Sequence, residues 1–180
     1  RRDWQLVLCA AAAWGVFNAA YVTYLSFGTR VLEGLGQSPI TAAGTISVAS
    51  WLMILSGTIC GQVVDRFGNR ELVLAVCMSG AVLALFLLSV PGAGLLASLL
   101  FGLVAMAPAG VIMALAGEAL RPQNRAFGMG IFFTVYYLLM LGTPPLAGAL
   151  FDHTGWVQGP ILLAALLFAS VVPLALAFRT

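Results

Sequence analysis

Lysine is absent from this chain, and charge of either sign is scarce. Of its 180 residues only 8% are charged, while 62% are hydrophobic; an ordinary soluble domain carries roughly 25% charge. So little charge excludes an ordinary globular domain in water. A net charge of +2 is too small to imply a nucleic-acid partner. Three cysteines, Cys9, Cys60 and Cys77, show none of the paired spacings of redox or zinc motifs and read as small buried hydrophobes. The only histidine, His153, falls beside an apolar run and reads as a solvated loop residue. There is no H-E-x-x-H, no buried acid pair and no Ser–His partnership at one membrane depth, which argues against an intramembrane enzyme and implies no metal or cofactor. No carboxylate, Lys or His falls near the middle of an apolar run, so an ion-coupling acid would lie outside this chain.

What the chain has instead is long uncharged stretches. There are 26 uncharged residues between Asp3 and Arg30, 31 between Glu33 and Asp65, 46 between Glu71 and Glu118, 26 between Arg125 and Asp152, and 25 between His153 and Arg179. A spanning helix needs about 20 apolar residues. The longest gap fits two spans joined at Pro91-Gly92-Ala93-Gly94. Six spans follow, over 4–27, 40–62, 71–90, 94–117, 126–149 and 158–178. They are helical, because backbone groups in lipid must be satisfied within the segment, and because the runs lack the alternation of a β-barrel. A signal peptide is not indicated: the first span is long, lacks a cleavage site and is followed by five more.

Arginine placement sets the orientation. Arg1, Arg2, Arg66, Arg70, Arg121, Arg125 and Arg179 all fall on one side of a six-span layout, and Arg30 alone on the other. The arginine-rich side is expected to be cytoplasmic, with both termini inside, in a plasma membrane of bacterial inner-membrane type.

A repeat is visible in the acids. Gly61-x-x-x-Asp65-x-x-Gly68 follows the second span and Gly148-x-x-x-Asp152-x-x-Gly155 follows the fifth, at an offset of 87 residues. Three spans separate the copies, so they face opposite sides. That is the pattern of an inverted three-plus-three repeat, 1–90 and 91–180, a hallmark of secondary transporters. Coincidence is the competing reading, since each copy also suits an ordinary turn with Gly in the left-handed region and an Asx-type bond.

Spans three and six are apolar almost all round and suit a lipid-exposed rim. Span one places Trp14, Asn18, Tyr21 and Leu25 on one helical face, with Tyr24 at its border. The stripe either lines a substrate path or packs against a neighbouring helix that satisfies Asn18; Tyr21 and Tyr24 alternatively belong to an interfacial belt. Span four puts Gly102, Met106, Ala109 and Met113 on one face, with Pro108 permitting a bend. Span five carries Thr134, Tyr136 and Tyr137, then Pro144 and Pro145, which remove two donors and should bend or loosen the helix.

The decapeptide GQVVDRFGNR, residues 61–70, closely resembles the G-x-x-x-D-R-x-G-R-[RK] signature of the major facilitator superfamily, which joins helices two and three of a six-helix half. Asn69 departs from it, leaving Arg70 as the one basic residue of the final pair. Glu118 and Arg125 are spaced like the E-x6-R pattern some members carry between helices four and five. The resemblance implies an all-α integral membrane fold, one half of a twelve-helix transporter working by alternating access. A second six-helix half would come from the same parent chain or a homodimer. It also implies that helices one and four line the cavity, which makes Trp14, Asn18, Tyr21, Met106 and Met113 candidate lining residues; Tyr137 of span five is a further candidate. The stretch from Pro144 to Gly155 looks like the end of a C-terminal half, and the chain resembles members of the cyanate-permease and monocarboxylate-porter kind, which points to small organic anions.

The charged decapeptide suggests a latch. Gly61 lets helices approach, Gly68 permits the turn, and Asp65 is stabilised by Arg66 or Arg70 or by a helix N-terminus. Glu118 and Arg125 complete the network. The competing reading is topogenic, with the arginines simply holding the loop inside; an acid adds little to topology, so Asp65 favours the latch. A non-transporting scaffold or sensor with the same fold, or a truncated inactive fragment, is the alternative to a transporter of small molecules across the lipid bilayer.

Overall fold

The computed structural model describes residues 2–120 and 122–178. Arg1, Arg121 and Arg179, expected above to help set the orientation, lie outside the described residues. The chain folds as α1 (Arg2–Gly34), α2 (Pro39–Phe67), α3 (Arg70–Leu88), α4 (Gly94–Val104), α5 (Ala109–Ala119), a 3-10 turn (Pro122–Asn124), α6 (Arg125–Thr154) and α7 (Gly159–Ala177). No strand occurs among the described residues. Counting α4 and α5 as one span, six are long and apolar enough to cross a membrane.

Several helices outrun their apolar windows. Helix α1 has 33 residues, about 50 Å at 1.5 Å per residue, and carries Arg30 and Glu33 past the apolar stretch. A charge beyond the hydrocarbon does not stop a helix; only backbone chemistry does. At the end of α1 that is Gly36, at φ 92°. Helix α2 then opens with Ser38, whose Oγ accepts from the Thr41 amide at 3.2 Å, followed by Pro39 in the first turn. Likewise α2 runs straight through Asp65 and Arg66 to Phe67, so most of the charged decapeptide is helix and the turn is only Gly68 and Asn69. Gly68, at φ 71°, returns its amide to the Val64 carbonyl. Gly155 ends α6 in the same way, at φ 63°, with its amide on Phe151.

In lipid, helices associate through close packing rather than through expulsion of water, so small residues mark the seams. Helix α1 lies at the centre, against α6 and α7; α4 packs on α2 and α3, and α3 on α7. A Cβ on Gly15 of α1 would strike Leu139 of α6. One on Gly102 of α4 would lie 2.6 Å from the Ala49 carbonyl oxygen and 2.9 Å from the Leu52 Cβ of α2. The two glycines and the two leucines are each related by the same 87-residue offset as the paired acids. Behind these seams lies an aromatic core. Tyr24 stacks on Phe101 at 3.9 Å and shares a hydrogen bond of 3.2 Å with Ser98, while Phe168 meets both Phe17 and Phe101 edge-on. Tyr24 is 1% exposed and therefore not an interfacial belt residue.

The fourth span departs most from a simple helix. Where a bend at Pro108 is expected, helical structure stops at Val104 and resumes at Ala109. Carbonyls at such a break lose their helical donors. Ser56 of α2 supplies one, donating to the Gly102 carbonyl at 2.9 Å in a buried setting. Ser56→Ala leaves that carbonyl without its side-chain partner and is expected to cost about 1–3 kcal/mol, read as a lower melting temperature in detergent; an unchanged melt would show that the break is satisfied otherwise.

Pro144 and Pro145, expected to bend or loosen this span, lie inside α6, which continues to Thr154. Two donors are still missing there, but the turn holds, and Thr143 donates from its side chain to the Leu139 carbonyl at 2.7 Å. Within this bundle the least covered spans are α2 and α6 rather than α3 and α7. Those windows are each 39% buried, against 28% for α2 and 17% for α6. Helices α3 and α7 pack against each other and against the central spans, whereas α2 and α6 sit at the flanks with one broad face uncovered.

Candidate functional site

At the end where α2 meets α3, the charged side chains converge as the local sequence dictates. Helix α2 ends at the left-handed Gly68, the chain reverses within two residues, and Arg70 opens α3. From there its Nη1 donates to Glu118 Oε1 at 3.0 Å, tying the α2–α3 turn to the last turn of α5. Asp65 and Arg70 line a groove of about 150 Å³ between α2 and α5, together with Gly57, Gly61, Gly110 and Ala114. A Cβ at Gly57, Gly61 or Gly110 would meet nothing within 4 Å. The groove exists because the break in the fourth span frees α5 from following α4: α4 lies backbone-close to α2 at Gly102, while α5 stands off from it.

Asp65 is placed against its helix, not for it. An acid in the last turn faces the negative end of the helix dipole, a position that favours cations; Arg66, one residue on, has the favourable sign. Asp152 occupies the same place near the end of α6. Arg125, exposed at the start of α6, stands outside the Arg70–Glu118 pair, so of the expected network the structure brings together Arg70 and Glu118, with Asp65 on the same groove.

Arg70 and Glu118 are each 47% exposed, and pairs this open contribute at most about 1 kcal/mol. A double-mutant cycle with Arg70→Ala and Glu118→Ala is expected to give a coupling energy below about 1 kcal/mol that fades with added salt; a larger, salt-insensitive coupling in thermal melts would contradict the exposed geometry.

The candidate lining residues divide into three groups. Trp14, Asn18 and Tyr21 share a half-buried face of α1. Asn18 is satisfied by its own helix, donating to the Trp14 carbonyl at 2.8 Å, rather than by a neighbouring one. Tyr21 meets Ser50 of α2 at 3.4 Å. Tyr137, 61% exposed, reaches this face only through Tyr136, which lies 4.6 Å from it and 6.3 Å from Trp14 between ring centres. Met106 sits in the helix break and Met113 on α5, both half-buried against the core. None of the six lines the groove at the charged end.

Sequence reasoning missed Ser56 and Ser50 as participants, and named Tyr136 without placing it beside Trp14. The one signal for the serines was a hydroxyl inside an apolar run, which needs an acceptor; which acceptor depends on the helix opposite. At the other end of the bundle, the Arg30 guanidinium lies 5.6 Å from the Phe151 ring centre, beside the second copy of the acid motif.

A family model described as the Major Facilitator Superfamily matches residues 4–180. A curated protein from Aspergillus fumigatus, named as an MFS-type transporter, is 35% identical over 77 residues, which make up 43% of this chain and 16% of that protein. The aligned stretch therefore spans only a small part of that relative's length. No solved structure matches.

Proposed function

This chain belongs to the major facilitator superfamily, and from that membership we propose that it forms one six-helix half of a secondary transporter that moves a small molecule by alternating access. The observation that carries the reading is the groove between α2 and α5. Its walls include three glycines facing empty space, and its mouth holds an acid that its own helix disfavours. Such a space accommodates the approach of a helix, and a charged contact at its rim biases how often that approach occurs. We read Gly61, Asp65, Arg66, Gly68, Arg70, Glu118 and Arg125 as the elements of this gate.

The two three-helix units, 1–90 and 91–180, are read as an inverted repeat. The left-handed glycines after Asp65 and Asp152 and the Gly–Leu seams at a common offset support this. The facing half of the transporter, from the same parent chain or a second copy, covers the open faces of α2 and α6. Trp14, Asn18, Tyr21, Met106, Met113 and Tyr137 contribute to the cavity between the halves. The arginine-rich end faces the cytoplasm of a plasma membrane. Small organic anions are the substrate class the sequence resemblance suggests. This half carries no Arg or Lys at mid-membrane depth, so an anion's charge would be met by the facing half.

The test is solute flux. Proteoliposomes holding the protein with its facing half are expected to take up labelled small carboxylates faster than empty vesicles, and to exchange them against an internal pool. Binding without flux would favour a sensor, and neither would sink the transport reading. Gly61→Ala separates gate from scaffold. Ala is favoured over Gly in a helix by about 1 kcal/mol, and its methyl meets nothing here, so the variant is expected to fold at least as stably yet transport several-fold more slowly. Undiminished flux would show that no helix enters this groove.

A further inference from the structure

Cys60 and Cys77 lie 17 residues apart on different helices, and nothing in their spacing pairs them. The structure does. Both are nearly buried, at 7% and 9% exposure, Cys60 on α2 and Cys77 on the neighbouring α3. Both also line one groove of about 370 Å³, walled by Ile59, Val63, Leu72, Val76 and Leu103. Ile59, Leu72 and Val76 are exposed, so the groove opens at the surface of the bundle between α2 and α3. Cys9, on α1, has no part in it.

We propose that Cys60 and Cys77 form a dithiol site for a soft, thiophilic acceptor bearing an apolar group, of which a trivalent aryl arsenical is the chemical class. The chemistry balances without an oxidant. Two As–S bonds replace the As=O bond of an arylarsine oxide, and the two thiol protons leave with that oxygen as one molecule of water. Arsenic stays trivalent and both sulfurs stay at the thiolate level. Two thiols held together bind the second time as an intramolecular event, which a single cysteine cannot match. The aryl group has room: an apolar cavity of about 150 Å³ holds benzene, and this groove is larger. Its apolar walls select against hydrophilic thiol reagents and admit one that arrives dissolved in the membrane. The adduct would strap α2 to α3 one residue before Gly61 and two helical turns after Arg70, across the hairpin that carries the charged decapeptide.

Phenylarsine oxide added to the full chain in lipid nanodiscs, followed by intact-mass measurement, tests the site. One arylarsenic group per chain is expected, retained through a monothiol wash and removed by 2,3-dimercaptopropanol. If the treated protein is then unfolded and exposed to maleimide, the peptides bearing Cys60 and Cys77 are expected to lose labelling together, while the Cys9 peptide labels as before. Cys60→Ser and Cys77→Ser should each abolish the wash-resistant adduct, and Cys9→Ser should keep it. An adduct that survives in either single variant, unchanged labelling of Cys60 and Cys77, or no adduct on the wild-type chain would overturn the proposal. The labelling pattern of the wild type decides the matter even where a serine variant fails to fold.

Discussion

In reconstituted vesicles, Asp65→Asn is expected to lower initial substrate flux to about a tenth or less while the helices still insert and the protein remains folded. Asn keeps the size of the side chain and removes only the charge. Folding has little use for that charge: it lies in the last turn of α2, where a negative group opposes the helix dipole by about 0.3–1 kcal/mol, so neutralising it should leave stability equal or slightly higher. What it loses is its place on the rim of the α2–α5 groove, opposite Arg70. A contact present in one conformation and absent in the other need differ by only about 1.4 kcal/mol to change their ratio tenfold. The measurement is initial flux per inserted protein, with circular dichroism as the check on folding. Wild-type flux from a folded Asp65→Asn protein would remove the latch and leave the decapeptide a purely topogenic role.

The second large effect concerns the fold. Gly102→Val is expected to destabilise the bundle by about 3 kcal/mol or more, at the upper end of the range for overpacked cores. The added Cβ alone, before either methyl of the valine, would lie 2.6 Å from the Ala49 carbonyl oxygen and 2.8 Å from the Ala49 Cα. Those atoms are backbone and cannot rotate away, so α4 must lift from α2. Lifting it breaks the Ser56–Gly102 hydrogen bond and disturbs Phe101, the neighbouring residue stacked on Tyr24. Gly15→Val at the matching seam is the internal comparison. Its obstruction is the Leu139 side chain, whose tip can move aside, so its loss should be smaller. Thermal unfolding in detergent reads both. A Gly102→Val protein that melts with the wild type would show that the α2–α4 seam is looser than this geometry.

The helix ends show where local reasoning stopped short. Apolar windows marked the lipid-embedded parts of α1, α2 and α6 and left the charged residues to loops. The helices in fact continue through Arg30, Asp65 and Asp152, because a charge that has reached water costs the helix almost nothing and termination waits for Gly36, Gly68 and Gly155 in the left-handed region. The proline signals divided as well. Pro108 coincides with a true break, since Ser56 of α2 is there to satisfy the freed Gly102 carbonyl. Pro144 and Pro145 sit inside a continuous helix. The same residue type lies at a break in one span and inside a continuous helix in another.

The candidate site was legible in parts that local chemistry controls. Asp65, Arg70 and Glu118 were recognisable because charge is rare here and has few places to go. Arg70 pairs with Glu118 across 48 residues of chain, which joins two residues of the proposed gate. Asn18 was recognisable as an amide needing a partner, but the partner proved to be its own helix. Met106, Met113 and Tyr137 were placed on plausible faces, yet the structure joins them to Trp14 only loosely, through Tyr136 or the core.

By itself the sequence determined that this is a six-span helical membrane protein with its charge gathered at the ends, because hydrocarbon forbids unpaired backbone and makes charge costly wherever it is not paired or wet. Those rules act on each segment alone, so composition and spacing suffice to apply them. Tertiary structure alone decided that the fourth span breaks over an α2 serine, that α5 stands off to open a groove beside Asp65, that α2 and α6 keep an uncovered face, and that Cys60 and Cys77 line one groove. Each of these depends on which face of one helix meets which face of another. In a chain this uniformly apolar, hydrophobicity barely distinguishes one face from the next, and the choice passes to the fit of small side chains at the seams.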